Sequence, residues 1–189
     1  MKFNNKPNAP HQSVTGLTVW HSRSVALVMT LVISPTNCLR GGHVLVVKRS
    51  NAAETEPNRY CLPCGYLDWN EEGHEGIIRE TYEETGLYMP SLFEQSKPIF
   101  GTFEPPYQPW YINTKADDHL QNVSLHYGAC IISDKPLPEL NESGSEGEIE
   151  KALWLPVEQI NTVDFAFNHA KRINLFLKQV CLGRIFVSD

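Results

Sequence analysis

The sequence predicts a single α/β (α+β) domain in which a mixed β-sheet lies between α-helices. Three observations lead to this prediction: apolar strand-like segments precede a central helical segment, further strand-like segments follow it, and an amphipathic segment comes near the end. Sheets and helices each bury an apolar face against the other, which favours layered packing. The 189 residues, 41% of them hydrophobic, suffice for one substantial core.

The first half of the chain predicts two neighbouring strands followed by a polar loop. Residues 24–34 and 43–48 are rich in Val, Leu and Ile, and the glycine turn at residues 41–42 separates them. Residues 51–62 are polar and contain turn-forming residues, so we expect a loop there.

One helix and several later elements complete the predicted order. The helix should begin near Gly73 or His74 and end at Gly86, because glycine best adopts the left-handed C-cap conformation. The later elements are strands at 97–103, 123–133 and 152–155, a long loop at 104–121, and a final amphipathic helix at about 166–182.

Composition limits the partners that we expect. Residues 1–21 are polar and predict a flexible or arm-like extension, and residues 22–189 form the domain. The net charge of −6 argues against a nucleic acid polymer as partner. No apolar run approaches about eighteen residues, and the first residues lack the apolar core of a signal peptide, so we expect no membrane and a cytoplasmic protein. A homodimer is left open.

Cys61 and Cys64 form a lone CxxC pair among five cysteines. A zinc site needs a second pair or histidines at suitable spacing, and no second CxxC exists. We therefore expect neither zinc nor disulfide chemistry at this pair.

Three glutamates in the predicted helix have a spacing that indicates a cation site. Glu80, Glu83 and Glu84 fall on one helical face. Like charges at such spacing destabilise a helix, and a hard divalent cation removes the repulsion. Each acid alone would ordinarily be a solvated surface residue, so the prediction depends on the spacing of all three.

These acids belong to a longer pattern. Its fixed positions are filled in register by Gly65, Glu71, Arg79, Glu80, Glu83, Glu84, Gly86 and Leu87. If each residue type fills roughly one position in fifteen, seven identities at fixed offsets arise by chance about once in 10⁸ windows. The pattern resembles the Nudix hydrolase signature, G-x5-E-x7-R-E-U-x-E-E-x-G-U, where U is a bulky aliphatic residue. Thr81 is the one departure, and we expect its hydroxyl to bond a preceding carbonyl.

The resemblance covers about residues 24–180 and implies a Nudix fold with metal-dependent cleavage of a diphosphate bond. By resemblance, Glu80, Glu83 and Glu84 are catalytic acids that bind Mg²⁺, with Mn²⁺ as the other candidate. The main-chain carbonyl of Cys64 would complete the metal shell.

The resemblance also assigns supporting roles. In relatives, the arginine at the position of Arg79 holds a glutamate of the signature (the Nudix box, residues 65–87 here) through a charged hydrogen bond. The fork geometry of arginine suits that role. Glu71 would support the loop or a metal-bound water. The general base is one of the box acids or a later acid, for which we favour Glu148 over Glu146 and Glu150, as both base and metal ligand.

Three residues outside the pattern are candidates for substrate binding. Arg49 follows a predicted strand, where relatives often place a basic residue that faces phosphates. Tyr107 and Trp110 lie in the long loop after the box, and aromatic faces could stack on a base. The alternative for these aromatic residues is that the proline-rich loop folds on itself.

The function predicted from these residues is Mg²⁺-dependent pyrophosphohydrolysis of a nucleoside diphosphate derivative, a small-molecule substrate. Relatives that cleave ADP-ribose carry a proline about fifteen residues past the box, and Pro105 and Pro106 fall a little later. Because this match in position is inexact, ADP-ribose is a lead and no more. Two alternatives are a nucleoside triphosphate pyrophosphohydrolase and a non-catalytic, nucleotide-sensing regulator.

Overall fold

The N-terminal segment contains a β-hairpin. In the computed structural model, which describes residues 9–21, 25–96, 98–104, 107–116, 121–141 and 147–183, strand β1 (Ala9–Gln12) pairs antiparallel with strand β2 (Thr18–His21). The hairpin is a two-stranded sheet separate from the main one. Residues 1–8 of the predicted extension lie outside the described residues, so its arm-like character stays a prediction.

Within the described residues, eight further strands form the main sheet. They are β3 (Val25–Ser34), β4 (His43–Arg49), β5 (Tyr60–Cys61), β6 (Cys64–Tyr66), β7 (Phe100–Gly101), β8 (Tyr111–Ala116), β9 (Gln121–Ile132) and β10 (Ile149–Pro156). The central order is β10-β4-β3-β9-β7, with β5 on β4, β6 on β3 and β8 on β9. Strands β3 and β9 are parallel, and the other pairs are antiparallel. The predicted mixed sheet is confirmed.

In the part of the chain that the structure describes, three α-helices cover the two faces of this sheet. They are α1 (Gly73–Thr85), α2 (Met89–Gln95) and α3 (His169–Gly183), with short 3-10 turns at Val157–Gln159 and Ala166–Asn168. Alternate residues of β3 face opposite sides: Leu27 and Met29 share a core with Ile77 of α1, whereas Val28 shares one with Phe176 of α3. The sheet therefore lies between helices, as predicted. None of the helices in the described ranges is long and apolar enough to cross a membrane.

Helix α1 begins and ends where the sequence predicts. It starts at Gly73, and Gly86 caps it with φ of +71° and an N–H bond to the Tyr82 carbonyl (2.8 Å). The Thr81 hydroxyl donates to the Ile77 carbonyl (2.7 Å), which confirms the expected bond. The helical period assigns Tyr82 to the packing face, but this residue is 44% exposed because it lies at the edge of the apolar arc.

Several predicted boundaries were wrong where tertiary pairing decides the structure. The loop expected at 104–121 contains β8, whose partner is β9, and the loop expected at 51–62 ends in β5. The strand expected at 97–103 is only two residues long in the described part, with Lys97 outside it. Helix α2 was missed, since its seven residues follow Gly86 closely and are too few to show a clear period.

Candidate active site

The candidate site lies where β6 meets α1. Strand β6 pairs with β3, which places Gly65 opposite Leu27. A Cβ atom built on Gly65 would overlap the carboxyl group of Glu80. Because Gly65 has no side chain, the carboxyl group of Glu80 can occupy this space.

Arg79 brings three of the predicted acids together. Its Nε and Nη2 donate to the Glu71 carboxylate (3.1 and 2.9 Å), and its Nη1 donates to Glu80 Oε1 (2.7 Å) and Glu83 Oε2 (3.1 Å). The remaining Nη2 proton reaches the Tyr66 carbonyl (3.0 Å). The arginine is 2% exposed, so these bonds form away from bulk water. The guanidinium thus fixes one oxygen or more of each acid.

Two glutamates carry an unfavourable charge: Glu84, which is buried, and Glu80, whose side chain is 14% exposed. Burial raises the pKa of Glu80 to about 7, against the opposing effect of Arg79 and with a further increase from Glu83. Burial also raises the pKa of Glu84 well above its ordinary value, and nearby Cys64 and Glu80 add to the increase. Glu84 Oε2 accepts the main-chain N–H of Cys64 (3.0 Å). A nearby cation would stabilise the charged form of both acids.

The residues present fit a divalent cation by the chemistry of their donor atoms. Carboxylate and main-chain carbonyl oxygens are the ligands that Mg²⁺ and Mn²⁺ prefer. The residues that would hold the ion are Glu80, Glu83, Glu84 and the carbonyl of Cys64. Among the described residues, no group of three His, Cys, Asp or Glu side chains is already gathered as a metal shell. Arg79 and the Cys64 N–H hold carboxylate oxygens instead.

Glu148 and Arg49, predicted from different parts of the chain, form an ion pair. Arg49 Nη2 lies 2.8 Å from Glu148 Oε1, and Arg49 Nε donates to the Thr55 carbonyl (2.8 Å). Arg49 is 5% exposed, whereas the Glu148 side chain is 61% exposed. The charge of Glu148 also contributes to the raised pKa of Glu84, so the two acids share one electrostatic environment. Glu150 pairs instead with Lys48 (2.7 Å), and Glu146 lies outside the described residues.

The two aromatic candidates occupy different environments. The Tyr107 ring stacks on the His74 ring at the start of α1, with 4.1 Å between the centroids. The Trp110 ring packs on Phe176 of α3 (5.3 Å) and near His126 (6.1 Å), and its Nε1 is buried. This packing favours structural support for Trp110, and its contact with substrate stays a prediction.

Two residues near the site were not predicted. Asp68 is 6% exposed, its N–H donates to Glu71 Oε1 (2.6 Å), and its Oδ2 lies 4.0 Å from Arg79 Nε. The Phe167 ring lies over Arg49, with 5.3 Å between Cζ and the ring centroid. Asp68 is an acid three residues before Glu71, and this spacing could have identified it from the sequence. Residues 165–169 resemble their family counterpart in sequence, but this resemblance assigns no role to Phe167.

The chain belongs to the Nudix family, because the NUDIX domain model matches residues 30–176, well over half of its length. A curated human relative, m7GpppN-mRNA hydrolase NUDT17, is 33% identical over 66 residues, which are 35% of this chain. The match spans 20% of that relative's length.

Solved structures share the fold at low sequence identity. The NUDIX domain of Shewanella oneidensis NrtR, complexed with ADP ribose, aligns with a TM-score of 0.55 and 17% identity over 87% of this chain and 89% of that one. A Francisella tularensis bifunctional NMN adenylyltransferase/ADP ribose pyrophosphatase, complexed with AMP and a manganese ion, aligns with a TM-score of 0.58 and 19% identity. That match covers 82% of this chain and 41% of the other. These similarities confirm the predicted Nudix fold.

Proposed function

We propose that this chain is a pyrophosphohydrolase that uses Mg²⁺ or Mn²⁺ to cleave a diphosphate linkage in a nucleoside diphosphate derivative. The observation that carries the proposal is the placement of Glu80 and Glu84 against the main chain of Gly65 and Cys64, with Arg79 buried among the acids. Two acids whose charge is unfavourable, one buried and one largely shielded from water, suit a site that gains a cation.

The side chains of the site divide into groups that bind and groups that orient. Glu80, Glu83 and Glu84 supply carboxylate oxygens, and Arg79 limits the orientations of the first two. A divalent cation in such a site neutralises phosphate charge and lowers the pKa of a bound water. Arg49 engages Glu148 Oε1, so Oε2 is the oxygen that accepts a proton in our proposal.

ADP-ribose is the lead substrate, and a capped-RNA dinucleotide is the second candidate. The lead is supported by two structural relatives, one complexed with ADP ribose and one described as an ADP ribose pyrophosphatase. The second candidate is supported by the segment shared with the human mRNA cap hydrolase. The net charge of −6 favours a small substrate over a long RNA.

A substrate panel tests the proposal. Purified protein is incubated with ADP-ribose, NADH, sugar nucleotides, dinucleoside polyphosphates, m7GpppG and nucleoside triphosphates, each with Mg²⁺ or Mn²⁺, and the products are separated. We expect cleavage of a diphosphate bridge, with release of two monophosphates from ADP-ribose. Release of pyrophosphate from a triphosphate would favour the triphosphate pyrophosphohydrolase. Binding without any cleavage would favour the sensor.

Replacing Glu83 tests the assignment of the acids. Glu83→Gln keeps the size of the side chain but removes a charged ligand, so we expect turnover to fall at least about 100-fold with little change in unfolding temperature. The control is Glu94→Gln, which alters a glutamate of α2 and should leave turnover unchanged. Normal turnover in Glu83→Gln would remove this residue from the ligand set.

A further inference from the structure

Among the described residues, two aromatic residues, Tyr107 (φ of 54°) and Phe167, have an unfavourable backbone conformation, and Phe167 lies beside Arg49 of the candidate site. Phe167 has φ of 56° and ψ of 21°, and Asn168 follows with φ of 59°. Non-glycine residues rarely adopt this left-handed region, and a bulky residue there is strained. Such strain persists only where the surrounding structure imposes it, and it clusters at functional sites.

The neighbours of Phe167 impose this conformation from both sides. Ala166 is fully buried, and His169 is 4% exposed with its Nδ1 accepting the Leu62 N–H (2.9 Å). The Phe167 N–H donates to Glu56 Oε2 (3.3 Å). With both flanking residues anchored in the protein, the turn between them directs the Phe167 ring outward.

The ring is exposed, although an aromatic side chain gains most from burial. It is 40% exposed, and it does not belong to the described apolar clusters of the core. Its described ring contacts are His169 (5.5 Å between centroids) and Arg49 (Cζ 5.3 Å from the centroid). A strained backbone thus presents an aromatic surface to solvent.

Arg49 connects this surface to the acids. The same guanidinium that lies near the Phe167 ring bonds Glu148 at 2.8 Å, and Glu148 shares the electrostatic environment of Glu84. The Phe167 ring is therefore separated from Glu148, the proposed base, by the single side chain of Arg49. The chemistry of the surface suits a flat, π-electron-rich group.

We propose that Phe167 is a specificity-determining residue on which the base of the nucleotide substrate stacks. This inference rests on the proposed function, and it assigns base recognition to the turn before α3. Stacking of a base on an aromatic side chain is sequence-tolerant, so one ring can accept different bases. Loss of such a contact weakens binding by roughly 5- to 150-fold.

Steady-state kinetics with a matched pair of substrates tests the inference. The pair is ADP-ribose and its abasic analogue, in which hydrogen replaces adenine at C1′. We expect Phe167→Leu to raise KM for ADP-ribose about 5- to 150-fold, with kcat within about twofold and unchanged kinetics on the abasic analogue. Phe167→Trp should restore KM because it keeps an aromatic face. The control is Tyr88→Leu, which removes another exposed ring (38%) and should change neither parameter.

Direct binding separates this inference from the proposed function. Calorimetric titration of AMP with Mg²⁺ into the wild type and Phe167→Leu measures base recognition without turnover. If AMP binds Phe167→Leu more weakly than the wild type, and the wild type cleaves nothing, the proposed hydrolysis is overturned and the stacking role is retained. Equal AMP affinity and equal KM in both proteins would overturn the stacking role while hydrolysis stands. A wild type that neither binds AMP nor cleaves any compound would overturn both.

Discussion

Arg79 shows how one buried cation can organise several acids. Its guanidinium contacts Glu71, Glu80 and Glu83 while only 2% of the residue is exposed. A lysine could not reproduce this arrangement, because a single ammonium lacks the planar fork that serves separate carboxylates. The supporting role that the family resemblance implies for this arginine stays a prediction.

Removing this arginine should destabilise the protein strongly. Arg79→Ala leaves buried carboxylates without their partner, so we expect the free energy of unfolding to fall by about 3–5 kcal/mol. Urea denaturation at pH 7 without divalent metal measures the change. Arg59→Ala is the matched control, since Arg59 is 44% exposed and its ion pairs, formed in water, should contribute little to stability. Equal losses in the two variants would contradict the structural role of Arg79.

Gly65 and Gly128 make a second comparison between function and stability. An added Cβ at Gly65 would first meet the carboxyl end of the Glu80 side chain, whereas one at Gly128 would meet the packed ring of Phe176. We expect Gly65→Ala to lower kcat by about 100-fold with a small change in stability. Gly128→Ala should lower the free energy of unfolding by about 1–3 kcal/mol. At temperatures below its unfolding transition, its kcat should equal that of the wild type. Thermal unfolding and kinetics on both variants measure these effects. A loss of kcat in Gly128→Ala, without one in Gly65→Ala, would contradict the two assignments.

Within helix α1, two buried threonines make different hydrogen bonds. The Thr81 hydroxyl donates to the Ile77 carbonyl (2.7 Å), an oxygen that can also accept within the helix. The Thr85 hydroxyl donates to the Thr81 carbonyl (2.6 Å) and also accepts the Leu87 N–H (3.2 Å). Only the second hydroxyl satisfies a donor beyond the end of the helix.

Valine substitutions should separate these two roles. Thr81→Val removes a hydroxyl without leaving a donor unpaired and places an aliphatic residue where the family signature has one, so we expect a stability change within about 1 kcal/mol. Thr85→Val leaves the Leu87 N–H without its acceptor and should cost about 1–3 kcal/mol. Urea denaturation of both variants measures the difference, and a larger loss in Thr81→Val would contradict the assignment.

Elements whose ends depend on local chemistry could be predicted from the sequence. The bounds of α1 follow from its periodic pattern and from the left-handed cap at Gly86. Strands β3, β4 and β9 are long and apolar. In contrast, β5 and β8 exist because they pair with β4 and β9, and their own polar or short sequences do not indicate a strand.

The candidate site was predictable only in part for the same reason. Glu80, Glu83 and Glu84 lie within one helix, so their spacing alone is enough to put the three side chains on one face. The position of Phe167 depends on Arg49, which is more than one hundred residues away in the sequence. Contacts across such separations leave no periodic trace in a single sequence.

Across the whole molecule, buried acids and buried histidines oppose each other as pH changes. Burial raises the pKa of Glu80 and Glu84, so the folded protein binds more protons there than the unfolded chain, and acid favours folding. Burial lowers the pKa of His126 to about 4 and of His169 to about 3, and there acid favours unfolding. The net pH dependence of stability is a difference between these two groups, so single-site variants are needed to separate them.

A variant of His126 should isolate the histidine contribution. The unfolded chain protonates this residue below its ordinary pKa of about 6.5, whereas the folded protein does so only near 4, so the wild type loses stability as pH falls through this window. His126→Leu lacks that loss. The free energy of unfolding of the variant, relative to that of the wild type, should therefore be about 1.4 kcal/mol higher at pH 5.5 than at pH 8. Urea denaturation from pH 4.5 to 8 measures the difference, in which the contributions of Glu80 and Glu84 cancel. His126 is one of the groups that lower the pKa of His169, so the difference also includes the change at His169. Tyr127→Phe, a neighbouring change in β9 that removes no group titrating in this range, should show a constant difference. Parallel curves for His126→Leu and the wild type would mean that His126 becomes charged as easily in the folded protein as in the unfolded chain.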